Sequence, residues 1–355
     1  MGCEFIFTCQ HDSEQLCVNE MKNINKDVKL LKWLDGGVGI ARHEKDFLYI
    51  SRILKEAKPV FLRHIFPVEF IFGYNNILEN SGFDAIINKY KSQIAQNTAL
   101  SVQVRSKTGG KAYNLKEIKN YISEKFEKLE NINELNSGYI SNPQKIISVF
   151  ISEDIIYAGI SDAVNNLSSW SGGMRHYALN ESVISRAEFK LLELFEYFPE
   201  LVNLNNNKNK QEKLTALDLG ASPGGWTKIL IEKGYKVTAV DPNKLSDVLN
   251  DNPDVEYYKC LTEDFFAKNI KKRGSFDLIT NDMRMHSVQS AKIMAEACGF
   301  LKDGGYLIMT LKLNKSGKTD LIRKTLNILK DKYEALFLKQ LFHNRSEVTA
   351  VMRKK

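Results

Sequence analysis

The sequence predicts an α/β fold class, with a doubly wound, mostly parallel sheet in the carboxy-terminal half of the chain. Short apolar runs alternate with helical patterns from residue 214 to the end, which is typical of a sheet covered by helices on both faces. The first run passes directly into a glycine-rich turn, and the second ends in Asp241. The predicted strands lie at 214–219, 236–241, 255–259, 276–281, 305–312, 335–341 and 347–353.

Mixed α+β segments precede this sheet. Residues 1–60 combine a predicted strand at 5–8, a helix at 14–21 and a second strand at 46–50. The next segment, 61–165, opens on an apolar run and alternates strands with a lysine-rich helix. Its predicted elements are a run at 61–68, a strand at 100–105, a helix at 114–128 and a hairpin formed by 146–151 and 155–160. A helix at 185–198 and a polar surface loop at 203–210 then lead into the large sheet.

Length and composition restrict the class of protein. A chain of 355 residues is expected to hold two or three domains. Five cysteines at no metal-like spacing, together with scattered histidines, predict free thiols, a cytoplasmic location and no metal site. We expect neither a signal peptide nor a membrane helix, because no apolar run is long enough. The formal net charge of +7 is compatible with an anionic partner such as nucleic acid.

The glycine-rich turn argues against two common nucleotide sites. Gly220, Gly224 and Gly225 fit neither the G-x-G-x-x-G fingerprint of dinucleotide sites nor the G-x-x-x-x-G-K-[ST] phosphate loop. Asp241, at the end of the next strand, is suited to accept hydrogen bonds from a ribose hydroxyl pair. After the third strand, Glu263 and Asp264 offer carboxylates that are suited to accept hydrogen bonds from an amino group. This acidic stretch, 262–264, is also compatible with a helix cap.

Four further residues stand near predicted strand and helix ends. Asp282 follows the fourth strand in an Asn-Asp-Met sequence, where base-directed amino methyltransferases usually carry [DN]-P-P-[YF]. Lys312 ends the fifth strand, and lysine is rarely buried there without a partner. Lys190 lies on the helix before the sheet, and Glu347 begins the last strand.

The chain resembles the FtsJ-type RNA 2′-O-methyltransferases over roughly 180–355. The resemblance is carried by the motif D-L-G-A-x-P-G-G-W and by four residues in the same chain order, Lys190, Asp282, Lys312 and Glu347. The resemblance implies a Rossmann-like domain that uses S-adenosylmethionine, with these four residues as its catalytic tetrad. Lys312 is then the general base. Because burial and a second ammonium nearby both disfavour a charged lysine, we expect lysine pKa values in this crevice to be lowered. The cofactor-binding residues implied are Ser185, Gly220, Ser222, Pro223, Gly224, Gly225, Trp226, Asp241, Asp264 and Asp282. The resemblance implies that an acid after the third strand contacts the adenine amino group, with Asp264 as the first choice and Glu263 as the alternative. For the indole of Trp226, packing is preferred to nucleotide stacking.

A second, looser resemblance covers the amino-terminal half. It is similar to a ferredoxin-like unit over 1–60 and a THUMP RNA-binding domain over 61–165, placed before a methyltransferase domain over 166–355. This order resembles the bacterial large-subunit rRNA cytidine 2′-O-methyltransferases, and it implies an RNA partner, most simply rRNA. The RNA-binding residues expected are Lys107, Lys111, Lys116 and Arg175, although a solvated helix face explains the lysines equally well. A THUMP-bearing tRNA base methyltransferase and a non-catalytic assembly factor that keeps cofactor binding are the alternatives.

Overall fold

The computed structural model describes residues 2–74, 81–91, 94, 98–130, 143–203, 213–314 and 317–355. The chain divides into two units, Met1–Arg175 and His176–Lys355. Most of the predicted polar loop at 203–210 lies outside the described residues. No helix in the described part of the chain is both long and apolar enough to cross a membrane.

The amino-terminal unit begins with a four-stranded sheet of order β2-β3-β1-β4, in which every pair of neighbours is antiparallel. Its elements are β1 (Cys3–Thr8), α1 (Glu14–Ile24), β2 (Lys29–Asp35), β3 (Val38–His43), α2 (Phe47–Ala57) and β4 (His64–Val68). The predicted strand at 5–8 and helix at 14–21 are confirmed. The β2–β3 hairpin was not predicted, because β2 is an exposed edge strand with little apolar alternation.

Residues 46–50, predicted as a strand, begin the helix α2 instead. Asp46 caps this helix, because its carboxylate accepts a hydrogen bond from the backbone N–H of Tyr49 at 2.8 Å. Phe47 and Ile50 are buried on the same side of the helix, one turn apart. The strand prediction is wrong because so short an apolar run fits both the helical and the strand period.

The second half of this unit holds another four-stranded sheet, of order β5-β8-β7-β6, in which only β6 and β7 are parallel. Its elements are β5 (Phe70–Gly73), α3 (Ser81–Tyr90), β6 (Leu100–Ser106), α4 (Leu115–Glu130), β7 (Lys145–Ser152) and β8 (Ile155–Asp162). The predicted hairpin and the lysine-rich helix are therefore confirmed. Side chains such as Phe83, Ile122 and Ile147 form the buried core between the helices and the sheet.

The carboxy-terminal unit is a seven-stranded sheet of order β11-β10-β9-β12-β13-β15-β14. Its strands are β9 (Leu214–Leu219), β10 (Tyr235–Val240), β11 (Val255–Tyr258), β12 (Phe276–Asn281), β13 (Leu301–Lys312), β14 (Tyr333–Lys339) and β15 (Glu347–Lys354). Its helices are α5 (Glu188–Tyr197), α6 (Glu200–Asn203), α7 (Gly225–Glu232), α8 (Thr262–Lys268), α9 (Ser287–Ala297) and α10 (Lys318–Leu329). All seven predicted strands are confirmed, and only β15 runs antiparallel to its neighbours.

The strand order positions a ligand cleft. From β9 the chain moves to β10 and β11 on one side, and it returns to β12 on the other side of β9. The carboxyl ends of β9 and β12 therefore flank the point where the order reverses, which is where open α/β sheets bind ligands. The strands around this point are apolar and buried, and Leu217, Leu219 and Ile279 are fully inaccessible to solvent.

Candidate active site

The glycine turn between β9 and α7 brings backbone close to neighbouring groups. Gly220 has a φ of 74°, and a Cβ atom there would lie 2.4 Å from Cγ of Met283. Gly224 has a φ of 112°, a value that side-chain-bearing residues rarely adopt. A Cβ atom on Gly225 would lie 2.3 Å from the hydroxyl of Ser185. These glycines are therefore required by the backbone conformation and by close approach.

A cleft of about 1600 Å³ opens at the carboxyl ends of these strands. All of its lining residues belong to the carboxy-terminal unit. The predicted residues that line it are Ser185, Lys190, Gly220, Ser222, Pro223, Gly225, Trp226, Asp241, Asp282, Lys312 and Glu347. The structure thus brings most of the predicted cofactor-binding and catalytic residues into one cavity.

Asp241 lies at the end of β10 and is 8% exposed. Its two carboxylate oxygens accept hydrogen bonds from the backbone N–H groups of Ser222, at 3.1 Å, and Asn243, at 2.7 Å. Each oxygen keeps a second lone pair for a hydroxyl donor. The hydroxyl of Ser185 also lines the cleft, and it is buried with no hydrogen-bond partner among the residues that the structure describes. An unsatisfied buried hydroxyl fits a site built for a polar ligand.

The two acids after the third strand differ in position. Glu263, in the first turn of α8, lines the cleft, whereas Asp264 is not among the lining residues. Asp264 was the first choice for the adenine contact, and the geometry favours Glu263 instead. Adjacent residues of a helix point about 100° apart, so the sequence alone could not separate them.

Trp226 lies on α7 with its indole 4% exposed. The indole N–H donates to the backbone carbonyl of Ala187 at 2.8 Å, and the ring packs in the core with Leu191 and Leu194. This agrees with the preferred packing role. Trp226 is also one of the residues that line the cleft.

Lys190, Asp282, Lys312 and Glu347 form one network of ion pairs. Lys190 Nζ lies 3.1 Å from Asp282 Oδ2 and 2.7 Å from Glu347 Oε2. Lys312 Nζ lies 2.7 Å from Asp282 Oδ1 and 3.0 Å from Glu347 Oε1. Each ammonium therefore contacts both carboxylates, and each carboxylate contacts both ammonium groups. We call this set the four-residue network.

Three elements and one loop position the network. Lys190 projects from the first turn of α5, Lys312 ends β13, and Glu347 begins β15. Lys312 and Glu347 are direct partners in the antiparallel register of β13 and β15. Asp282 follows β12, which is the parallel neighbour of β13. Residues distant in sequence therefore meet because three adjacent strands bring their ends to one edge.

The charges of the network shift the pKa values within it. Burial favours a lower pKa for Lys190, but the charges of Asp282 and Glu347 outweigh burial and raise the pKa above its ordinary value. Burial favours a higher pKa for Asp282, but Lys190 and Lys312 outweigh it and lower the pKa. The expectation that crowding lowers the lysine pKa is therefore wrong for Lys190, because two carboxylates contact it.

Two polar groups near the network were missed by the sequence analysis. Thr310 Oγ1 donates to Asp282 Oδ1 at 2.6 Å and accepts from Lys312 Nζ at 2.9 Å. Asp218, inside β9, accepts from the hydroxyls of Thr227 and Thr280 at 2.6 Å and 2.8 Å, and burial raises its pKa to about 6. An acid within an apolar strand is a signal that could have identified Asp218.

The predicted RNA-binding residues lie apart from this cavity in sequence, within the amino-terminal unit. Lys107 pairs with Glu153 at 2.6 Å and Lys111 pairs with Asp154 at 2.8 Å. Both acids lie in the β7–β8 turn; Lys107 is half-buried and the other three residues are exposed. Lys116 is exposed in the first turn of α4. The fourth residue, Arg175, ends the unit. The role of these residues stays a prediction.

The doubly wound sheet, the glycine turn and the cleft at the strand ends define a Rossmann-like methyltransferase domain. Residues 183–354 match the family model described as FtsJ-like methyltransferase. This part of the chain is therefore an FtsJ-like methyltransferase domain, as the sequence predicted.

Individual relatives extend the comparison. An uncharacterized protein of Methanocaldococcus jannaschii is 35% identical over 152 residues, which cover 42% of this chain and 40% of the relative. The ribosomal RNA large subunit methyltransferase M of Pseudomonas syringae pv. syringae is 27% identical over 225 residues, covering 61% of this chain and 60% of the relative. The chain thus spans less than two thirds of either relative. Among solved structures, TrmN from Thermus thermophilus aligns over 99% of this chain and 100% of its own, at 10% identity and a TM-score of 0.37.

Proposed function

We propose that this protein transfers a methyl group from S-adenosylmethionine to a ribose 2′-hydroxyl of RNA, in large-subunit rRNA. The four-residue network carries the proposal, because its paired ammonium and carboxylate groups meet inside the cleft of an FtsJ-like domain. The names of the relatives, ribosomal RNA large subunit methyltransferase M, support the choice of rRNA. A ribosomal substrate implies a cytoplasmic location, to which five free cysteines are suited.

S-adenosylmethionine, when bound, supplies the methyl group and a positive sulfonium charge. Most of the residues proposed to hold it line the cleft, and Gly224 and Asp264 are the exceptions. Ser185 contributes a buried hydroxyl, the turn around Gly220 offers close backbone approach, and Asp241 accepts from ribose hydroxyls. The full set is Ser185, Gly220, Ser222, Pro223, Gly224, Gly225, Trp226, Asp241 and Asp282, with Glu263 or Asp264 for the adenine amino group.

Lys312 is the proposed general base. A ribose hydroxyl is a weak nucleophile until its proton is removed during attack, and an amine can accept that proton only when it is neutral. Lys312, in its neutral form, takes the proton of the 2′-hydroxyl and becomes an ammonium. Asp282 and Glu347 stabilise that ammonium through contacts of 2.7 Å and 3.0 Å. The proton then passes to solvent when the product leaves.

Lys190 has a different role in this proposal. Because its pKa is raised by Asp282 and Glu347, Lys190 stays protonated throughout the reaction. Its ammonium holds both carboxylates in place and orients the ribose by hydrogen bonding. In this proposal the two lysines have different roles, although each contacts the same two acids.

The alternatives are less favoured by the residues in the cleft. A base-directed methyltransferase needs an aromatic clamp after the fourth strand, and this chain has Asn281, Asp282 and Met283 there. A non-catalytic assembly factor has no need for a complete network of two lysines and two carboxylates. The amino-terminal unit is proposed to bind RNA through Lys107, Lys111, Lys116 and Arg175, and its ferredoxin-like and THUMP assignments remain predictions.

Mapping the methyl group tests the proposal. Large-subunit rRNA from cells with and without this gene should differ by one ribose methylation, detected by mass spectrometry of nuclease fragments. In vitro, the purified chain should transfer tritium from labelled S-adenosylmethionine to unmodified rRNA, and the label should reside on ribose. A methyl group on a base, or no transfer to any RNA, contradicts the proposal.

Replacement of Lys312 by alanine tests the assigned base. Lys312→Ala should abolish transfer while leaving the affinity for S-adenosylhomocysteine nearly unchanged, as measured by calorimetry. Lys324→Ala, at an exposed lysine of α10, is the matched control and should keep full activity. Full activity of the Lys312 variant refutes the assignment.

A further inference from the structure

A cluster of aromatic rings lies beside the four-residue network in the wall of the cleft. Phe189, Phe342 and His343 all line the cleft. His343 is the centre of the cluster, because its ring lies 5.0 Å from Phe342, 5.2 Å from Phe189 and 5.4 Å from Tyr177. The rings of Tyr177 and Phe189 stack at 5.4 Å, with 18° between their planes. The two residues that remain half-buried at the cleft are Phe342 and His343, and we call them the aromatic pair.

A buried carboxylate fixes the loop that carries the aromatic pair. Glu193, on α5, is 1% exposed. Its oxygens accept hydrogen bonds from the backbone N–H of Phe342 at 2.8 Å and of His343 at 3.0 Å. Burial of a carboxylate is costly unless donors satisfy it, so these bonds hold the loop in one conformation. The aromatic pair is therefore presented on a rigid support.

Helix α5 and the segment that leads from His343 into β15 also carry two members of the four-residue network. Lys190 lies on α5 one turn before Glu193, and Glu347 lies four residues after His343. Asn344 Oδ1 accepts from the backbone N–H of Leu341 at 2.9 Å, which fixes the other side of the loop. A ligand ring that stacks on the aromatic pair is therefore held at a fixed position relative to the four-residue network.

Charged residues elsewhere in the cleft indicate which kind of ligand contacts the aromatic pair. Three exposed arginines, Arg186, Arg284 and Arg345, are among the lining residues. Within the described ranges, no carboxylate lies at ion-pair distance from any of them. Unpaired guanidinium groups beside aromatic rings suit a ligand that carries both phosphates and flat rings. A single-stranded segment of nucleic acid has this combination.

We propose that Phe342 and His343 form a stacking platform for the base of the nucleotide whose ribose is methylated. This inference rests on the proposed function and adds a subsite to it. The base stacks on the aromatic pair, flanking phosphates meet the arginines, and the ribose between them faces Lys190 and Lys312. Stacking tolerates any base, so the platform orients the acceptor nucleotide and does not select its identity.

Three substitutions at Phe342 separate stacking from simple filling of space. Phe342→Leu keeps an apolar side chain, Phe342→Ala removes it, and Phe342→Tyr keeps the ring. Phe337→Leu is the matched control, because Phe337 packs on Tyr197 and Phe198 at β14 and does not line the cleft. For each variant we would measure the KM and Kd for an unmodified large-subunit rRNA transcript, the Kd for S-adenosylhomocysteine, and the thermal unfolding midpoint.

The Leu and Ala variants should weaken RNA binding about 10-fold or more, the usual effect of losing one stacked base. The Tyr and Phe337→Leu variants should resemble wild type, and the Kd for S-adenosylhomocysteine should change little in all of them. Two results overturn the inference: RNA affinity unchanged in the Leu and Ala variants, or a loss of S-adenosylhomocysteine affinity equal to the loss for RNA. If wild type binds RNA but transfers no methyl group, the proposed function fails, while RNA affinity still decides the platform.

Discussion

Thr310 joins Asp282 to Lys312 through one hydroxyl, so its removal tests how the proposed base is oriented. Thr310 Oγ1 donates to Asp282 Oδ1 at 2.6 Å and accepts from Lys312 Nζ at 2.9 Å. The side chain is 2% exposed. Thr310→Val preserves the shape of the side chain and deletes both hydrogen bonds.

The expected loss follows from these contacts. A hydrogen bond to a charged group contributes about 1.5–3 kcal/mol. The direct contact between Lys312 Nζ and Asp282 Oδ1, at 2.7 Å, remains in the variant, so we expect the two lost bonds to cost no more than one such bond. If that energy orients Lys312 in the transition state, the kcat of Thr310→Val falls about 10- to 150-fold.

The titration of Asp282 gives a second readout. The hydroxyl of Thr310 is one of the groups that lower the pKa of Asp282, after Lys190 and Lys312. The valine variant should raise that pKa, because the ionised carboxylate loses a hydrogen-bond donor. An acid titration of this carboxyl group by NMR measures the shift.

Methyl transfer to an rRNA transcript checks the effect on kcat. Thr310→Ser keeps the hydroxyl and should restore both kcat and the pKa of Asp282. Thr215→Val removes a hydroxyl that donates to the carbonyl of Ser275 at 2.7 Å, at the end of β9 far from the cleft, and it should leave kcat unchanged. The reasoning is refuted if Thr310→Val keeps the wild-type kcat and Asp282 pKa, or if Thr310→Ser is as impaired as the valine variant.

Two further predictions concern stability and RNA binding. Asp218 has its pKa raised by burial from 3.8 to about 6, so its stabilising contribution is complete below pH 3.8 and is lost, by about 3 kcal/mol, as the pH rises through about 6. The unfolding free energy of wild type minus that of Asp218→Asn should fall over this range in urea titrations, and a constant difference contradicts the prediction. If the exposed Lys116 contacts a phosphate, Lys116→Gln should reduce the slope of log Kd for rRNA against log salt by about one unit. An unchanged slope excludes that contact.

The sequence predicted the large sheet and most of the cleft because each part has a local signature. A buried strand is an apolar run, and the turn after β9 is marked by Gly220, Gly224 and Gly225, two of which adopt a positive φ. Lys312 was recognised as unusual at the end of a buried strand. These signals are carried by neighbouring residues, so no knowledge of distant contacts is needed.

What the sequence could not predict depends on contacts between distant residues. Glu193 looks like any glutamate of an amphipathic helix, and only the fold shows that it binds backbone N–H groups of Phe342 and His343. The direction of the pKa shift at Lys190 was missed for the same reason, since the effect of burial was foreseen and the double contact with Asp282 and Glu347 was not. The strand prediction for 46–50 was wrong for a different reason, because this short apolar run fits the helical and the strand period equally well.

The charge balance of the four-residue network explains why a ribose methyltransferase would need two lysines and two carboxylates. With all four groups ionised the network is neutral, and it is stable in a buried cleft because every charge has two opposite neighbours. Removal of one member leaves the charge of its partners uncompensated, and such a loss is strongly destabilising in a buried site. The four groups are therefore needed together.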